Sequence, residues 1–76
     1  MTDEIKKLVS HFYDEALKYE VNSTNFLKSA KHVSNFYRDY FGMNQTWLDY
    51  HQLLTNDDQI KAKSLFNLMY TELLKL

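Results

Sequence analysis

The feature that most constrains the fold is an apolar spacing of three and four residues that continues along almost the whole chain. Proline is absent from the 76 residues, and Gly42 is the only glycine. Apolar residues at this spacing align on one face of an α-helix, and almost no helix breaker interrupts them. The pattern therefore predicts helices joined by short connections. With no internal repeat and no linker, we expect one domain covering residues 1–76.

Hydrophobic periodicity divides the chain into four predicted helices. They span residues 2–20, 25–41, 46–54 and 57–75. Thr2 is a good N-cap for the first helix, and Gly42 follows the second helix where a left-handed residue commonly ends one. Thr46 and Asp49 resemble a capping box at the start of the third helix. The polar run 55–58 indicates the start of the fourth.

These helices predict an all-α fold, a small antiparallel bundle of three long helices and one short helix. Short connections place neighbouring helices antiparallel. A chain of 76 residues without cysteine has a barely sufficient core and no disulfide or thiolate metal site to support it. The bundle therefore either packs very well alone or is completed by dimerisation.

Charge narrows the range of partners. Formal net charge is −1, and the basic side chains are eight lysines and one arginine, Arg38. Nucleic acids and anionic membranes attract basic surfaces, and phosphate clamps favour the bidentate fork of arginine. The composition therefore disfavours both partners. The sequence shows no secretory signal and no apolar run long enough to cross a bilayer, so we expect a cytoplasmic protein.

Sequence motifs for catalysis are lacking. There is no cysteine nucleophile, no Gly-rich phosphate loop and no His-Glu-x-x-His pattern. His11 and Glu15 stand four residues apart, but a metal site usually needs three or more convergent ligands. We interpret His51 as a partly buried, hydrogen-bonded side chain. We therefore expect no catalytic residue, no cofactor, no metal and no enzymatic activity.

Aromatic residues form 16% of the chain and are its most prominent feature. Their helical spacing favours core packing, yet tyrosine and tryptophan are also enriched at binding hot spots. Two groups are therefore candidate protein-binding residues. The group that brackets Gly42 consists of Tyr40, Phe41, Met43, Trp47 and Tyr50. The group on the fourth helix, on the side that should face water, consists of Ile60, Leu68 and Leu74.

The leading functional hypothesis is a non-catalytic interaction module that binds another protein, or a second copy of itself. A regulator, an inhibitor and an immunity-type factor all fit. Small bacteriocin-immunity proteins are similar in size and helical class, which is a likeness of fold alone. The composition, rich in Lys, Asn, Tyr and Phe, fits an AT-rich bacterium or one of its phages or mobile elements.

The alternative hypothesis is a small DNA-binding transcriptional regulator. The second helix, Gly42 and the third helix have roughly the spacing of a helix-turn-helix unit. The third helix, which would have to read the bases, contains no lysine or arginine. The sequence therefore favours protein binding over DNA binding.

Overall fold

The computed structural model describes residues 1–55 and 58–76, and these residues form a small all-α bundle. No strand occurs among them. The four helices are α1 Asp3–Ala16, α2 Thr24–Phe41, α3 Gln45–Thr55 and α4 Gln59–Leu74. The predicted fold class and the number of helices are confirmed. None of the helices in the described ranges is both long and apolar enough to span a membrane.

Helix α1 has the predicted N-cap, Thr2, but begins one residue after the predicted residue 2 and ends four residues before the predicted residue 20. The Thr2 hydroxyl accepts a hydrogen bond from the Ile5 N–H at 3.2 Å. The helix was predicted to reach residue 20 but stops at Ala16, where i→i+3 bonds such as Tyr19 N–H to the Ala16 carbonyl replace the helical pattern. Val21, 7% exposed, then enters the core. Burial of Val21 ends the helix, since the chain must turn back to place it there.

Helix α2 is capped at both ends by the residues that the sequence indicates for such positions. Ser23 accepts a hydrogen bond from the Phe26 N–H at 3.1 Å and donates its own to the Glu20 carbonyl at 2.7 Å. At the other end Gly42 has φ 73° and ψ −169°, and its N–H bonds the Arg38 carbonyl. Helix α2 starts one residue before the predicted 25 and ends at the predicted 41.

Helix α3 has a different cap from the predicted one. Asn44 accepts from the Trp47 N–H at 3.0 Å, so the helix starts at Gln45 and not at Thr46. Asp49, the predicted capping partner, instead accepts from the Gln45 side chain at 2.6 Å. Asn44 is also held in place by its side-chain amide, which donates to the Tyr37 hydroxyl of α2 at 2.9 Å.

Helix α4 is shorter than the predicted 57–75. Asp58 accepts from the Lys61 N–H at 3.2 Å and caps the helix that begins at Gln59. The helix ends at Leu74, with Lys75 as its C-terminal cap. The predicted start, residue 57, lies outside the described residues, as does residue 56 of the polar run 55–58.

The core centres on α4. The ring of Phe66 lies 5.3 Å from that of Tyr13, 5.3 Å from that of Phe26 and 6.0 Å from that of Tyr50. These three rings come from α1, α2 and α3. One α4 side chain therefore contacts all the other helices, and its complete burial removes a large apolar area from water.

The helices do not pair in simple chain order. Helix α1 packs chiefly on α2, and α3 packs chiefly on α4, whereas α2 and α3 make little mutual contact despite their short connection. The Cα envelope is correspondingly flat, at 33 × 26 × 15 Å. Gly42 turns the chain away from α2, so that α3 leans on α4. An open space is left between α2 and α3.

Candidate functional site

A cleft of about 310 Å³ lies between α2 and α3. Apolar surface from both helices forms most of its lining, and five basic or polar side chains contribute the rest. The lining residues are Leu27, Ala30, Lys31, Ser34, Asn35, Arg38, Trp47, Tyr50, His51 and Leu54. The cleft exists because α3 packs on α4 rather than along α2.

Trp47 forms one wall of the cleft. Its indole Nε1–H donates to the Ser34 carbonyl of α2 at 3.3 Å, and its ring lies 4.2 Å from the His51 ring. The side chain is half-buried. Trp47 is therefore held against α2 by its polar edge, while part of its ring remains available to a ligand or partner.

His51 is hydrogen-bonded, as predicted, but lies at the exposed edge of the cleft. Its Nε2 is 3.0 Å from the Ser34 hydroxyl. Partial removal of the ring from water lowers the pKa of His51, and the nearby positive charge of Arg38 lowers it further. The histidine is thus favoured in its neutral form beside Arg38.

Tyr50 does not belong to the exposed surface on which the sequence placed it. It is 1% exposed and lies in the core against Phe66. Burial raises the pKa of its hydroxyl. The reason is the packing of α3 on α4, which turns this face of α3 inward. Tyr50 closes the floor of the cleft and offers no outward-facing ring.

The other residues around Gly42 form a surface that we call the turn surface. It contains the exposed Tyr40 and Met43, 44% and 62% exposed, and the half-buried Phe41 and Trp47. Phe41 is partly covered because its ring stacks on Tyr37 at 4.6 Å. Leu48, 44% exposed, adds to this surface. Sequence reasoning missed it because Leu48 only fell outside the apolar stripe of its helix, which is a weak signal.

The three candidate residues of α4 differ in exposure. Ile60 is 83% exposed and Leu68 is 44% exposed, whereas Leu74 is half-buried. Ile60 and Leu68 stand eight residues apart, about two helical turns. They are two separate apolar side chains on one helix, and Ile60 lines a shallow depression together with Tyr19 and Val21.

His11 and Glu15, the pair considered for metal binding, each interact with other side chains. Glu15 bonds the Lys18 ammonium at 2.9 Å, and this bond lowers the pKa of the Glu15 carboxyl. His11 contacts the Phe12 ring at 5.5 Å, and Phe12 in turn stacks on His32 at 4.0 Å. In residues 1–55 and 58–76, no group of three or more metal-ligating side chains converges.

The α2–α3 unit has the short turn of a helix-turn-helix but not its charges. Three residues, 42–44, connect the two helices. The exposed basic side chains Lys31 and Arg38 lie on α2, and α3 carries Asp49 and no lysine or arginine. In helix-turn-helix proteins the second helix enters the major groove. Here that helix would bring no cation to the phosphates.

The chain matches no protein-family model, and no curated protein or solved structure is significantly similar to it.

Proposed function

We propose that this protein is a small, non-catalytic cytoplasmic module that binds a partner protein through its turn surface. The observation that carries the proposal is the exposure of Tyr40, Met43 and Leu48 around one turn, at 44%, 62% and 44%. Monomeric proteins rarely leave large apolar side chains grouped at the surface, and such groups mark binding sites.

The chemistry of the turn surface also fits protein binding. Tyrosine and tryptophan bury a large area at low conformational cost, and methionine adapts to irregular surfaces. Trp47 is already held by its hydrogen bond to the Ser34 carbonyl, so it would lose little conformational freedom when a partner covers it. By covering part of its partner, the module would act as a regulator, an inhibitor or an immunity-type factor.

The first test is site-specific photocrosslinking in the source cells. A photoreactive phenylalanine analogue replaces Met43 in one protein and Leu8 in the control, because Leu8 is 44% exposed on α1, away from the turn. We expect a discrete crosslinked protein from position 43 and none from position 8. Equal capture from both positions, or capture from neither, would contradict the proposal.

A matched pair of charge substitutions identifies the surface. Met43→Lys introduces a charge into the turn surface, whereas Ile60→Lys introduces one at the most exposed apolar residue of α4. In both variants the photoreactive analogue is placed at position 48, where Leu48 is 44% exposed. We expect only Met43→Lys to abolish the crosslink. The reverse result would move the binding surface to α4.

Two other partners are distinguished by simple measurements. Light scattering over a range of concentrations shows whether the captured partner is a second copy, which Met43→Lys would then dissociate. Fluorescence anisotropy with duplex DNA at low salt tests the regulator alternative, because phosphate contacts are strongest there. Salt-sensitive DNA binding without a protein crosslink would replace the proposed function by that alternative.

A further inference from the structure

The α2–α3 cleft has the size and lining of a small-molecule site. Its volume of about 310 Å³ lies at the lower end of the range of ligand pockets, about 300–1,000 Å³. Ala30 and Tyr50, each 1% exposed, form its floor, and Leu54 and the half-buried Trp47 flank them. A flat apolar group would therefore find an apolar floor and an aromatic wall.

The charges around this apolar floor have one sign. Lys31 and Arg38 line the cleft, and none of its lining residues is acidic. The only ion pair in the described part of the chain joins Lys18 to Glu15, so neither Lys31 nor Arg38 is neutralised by a carboxylate. Both cations stand on α2, seven residues apart, along the same side of the helix.

We propose that the cleft binds a small amphipathic carboxylate, with its flat apolar body against Trp47 and its carboxylate at Arg38. Arginine is suited to this because its planar fork donates two parallel hydrogen bonds to a carboxylate. One arginine fork matches the two oxygens of a single carboxylate. The cleft shares Trp47 with the turn surface, but its buried floor and both of its cations lie outside that surface.

The test uses 2-naphthoate as the probe and ¹H–¹⁵N NMR as the readout. Trp47 is the only tryptophan, so its indole N–H gives a single assigned signal at the wall of the cleft. We expect 2-naphthoate to shift this signal and the Arg38 Nε signal in a saturable way. The neutral amide of the same shape, 2-naphthamide, should bind more weakly, on the order of fivefold.

Two variants complete the test. Arg38→Gln removes the charge of an exposed side chain, and we expect it to weaken 2-naphthoate binding on the order of fivefold while leaving 2-naphthamide unchanged. Lys7→Gln removes an exposed charge on α1 and should change neither. Unchanged circular dichroism verifies that both variants fold.

Three results would overturn the proposal: no saturable shift of the Trp47 indole signal, equal affinity for the carboxylate and the amide, or unchanged 2-naphthoate binding in Arg38→Gln. A carboxylate preference that disappears equally in Lys7→Gln would also overturn it, since the effect would then come from net charge. These outcomes are independent of the crosslinking result, so the cleft and the turn surface stand or fall separately.

Discussion

Along the α1–α4 seam the rings of Tyr13 and Tyr70 stack with centroids 3.8 Å apart, whereas across the α2–α3 seam the helices leave a cleft of about 310 Å³. In the first seam the Tyr13 hydroxyl donates to the Asn67 side-chain oxygen at 2.6 Å, and the Ser10 and Tyr70 hydroxyls are 2.7 Å apart. Each hydroxyl of this seam has a partner on the opposite helix.

The second seam is joined only at its edge. Ser34 on α2 contacts the His51 ring at 3.0 Å and the Trp47 indole at 3.3 Å. The Tyr50 hydroxyl has no hydrogen-bond partner among the described residues. Every fully buried side-chain oxygen in these residues has a partner, so the Tyr50 hydroxyl must retain a small area accessible to water. The first seam is thus closed by stacked rings and paired polar groups, whereas the second keeps an open space beside its hydrogen bonds.

Substitution of Phe66 should have the largest effect on stability, because its ring contacts Tyr13 at the first seam and Tyr50 at the second. Phe66→Ala should lower the free energy of unfolding by about 3–5 kcal/mol, the usual cost of a large buried cavity. Urea denaturation followed by circular dichroism measures the loss. Leu68→Ala, at an exposed position of the same helix, should change it by less than about 0.5 kcal/mol. Similar losses for the two variants would refute the central role of Phe66.

Substitution of Gly42 tests whether the backbone conformation at this turn directs α3 away from α2 and so leaves the second seam open. Its φ of 73° and ψ of −169° form a backbone conformation essentially restricted to glycine, so Gly42→Ala should cost about 1–3 kcal/mol of unfolding free energy. A Cβ at this position would meet nothing within 4 Å, so the cost comes from local backbone strain and not from a clash with other parts of the protein.

The matched control for Gly42 is D-alanine, introduced by chemical synthesis. The mirror-image residue adopts positive φ without strain, so we expect it to retain wild-type stability, and the same urea denaturation measures both. If L-alanine and D-alanine were equally tolerated, the direction of α3 would not depend on this conformation.

Two hydroxyl deletions sharpen the comparison of the seams. Tyr13→Phe removes the partner of Asn67 and should lower the free energy of unfolding by about 1–2 kcal/mol. Tyr50→Phe keeps the buried ring and removes a hydroxyl without a described partner, so the change should stay within about 0.5 kcal/mol. Thermal unfolding of both variants gives the difference. Equal losses would show that the two seams are held in the same way.

The smallest expected effect is the pH dependence contributed by His51. Its pKa in the folded state lies below the ordinary value of 6.5, so the unfolded chain takes up the proton first as the pH falls. The stabilisation is complete above about pH 6.5 and is lost as the pH falls from there through the folded-state pKa.

Comparison with His51→Gln isolates this contribution, since His11 and His32 titrate in both proteins. We expect the wild type to lose more stability than His51→Gln between pH 7.5 and pH 5, by urea denaturation at each pH. Parallel stability profiles for the two proteins would show that Arg38 and partial burial do not act on His51.

The helices could be predicted from the sequence because their signals are local. Ser23 and Asp58 cap helices through bonds to the N–H three residues ahead, and Gly42 ends α2 at the predicted residue. The apolar stripe of α4 likewise identified its buried residues: Ala62, Phe66, Met69 and Leu73.

The errors lie where the packing of helices against one another decides. The end of α1 depends on the burial of Val21, and the burial of Tyr50 depends on α4, which follows it in the chain. Periodicity identifies an apolar face, but it does not identify the element that will cover that face. The exposure of the candidate residues was accordingly predicted only in part: Tyr40 and Met43 are exposed, and Tyr50 is not.

The sequence by itself determined an all-α chain with four helices, a formal net charge of −1 and an aromatic content of 16%. Only the tertiary structure decided that α3 packs on α4, which rings face water and where a cleft remains. The physical reason is range. Capping and helical periodicity act within a few residues, whereas burial depends on the simultaneous packing of all four helices.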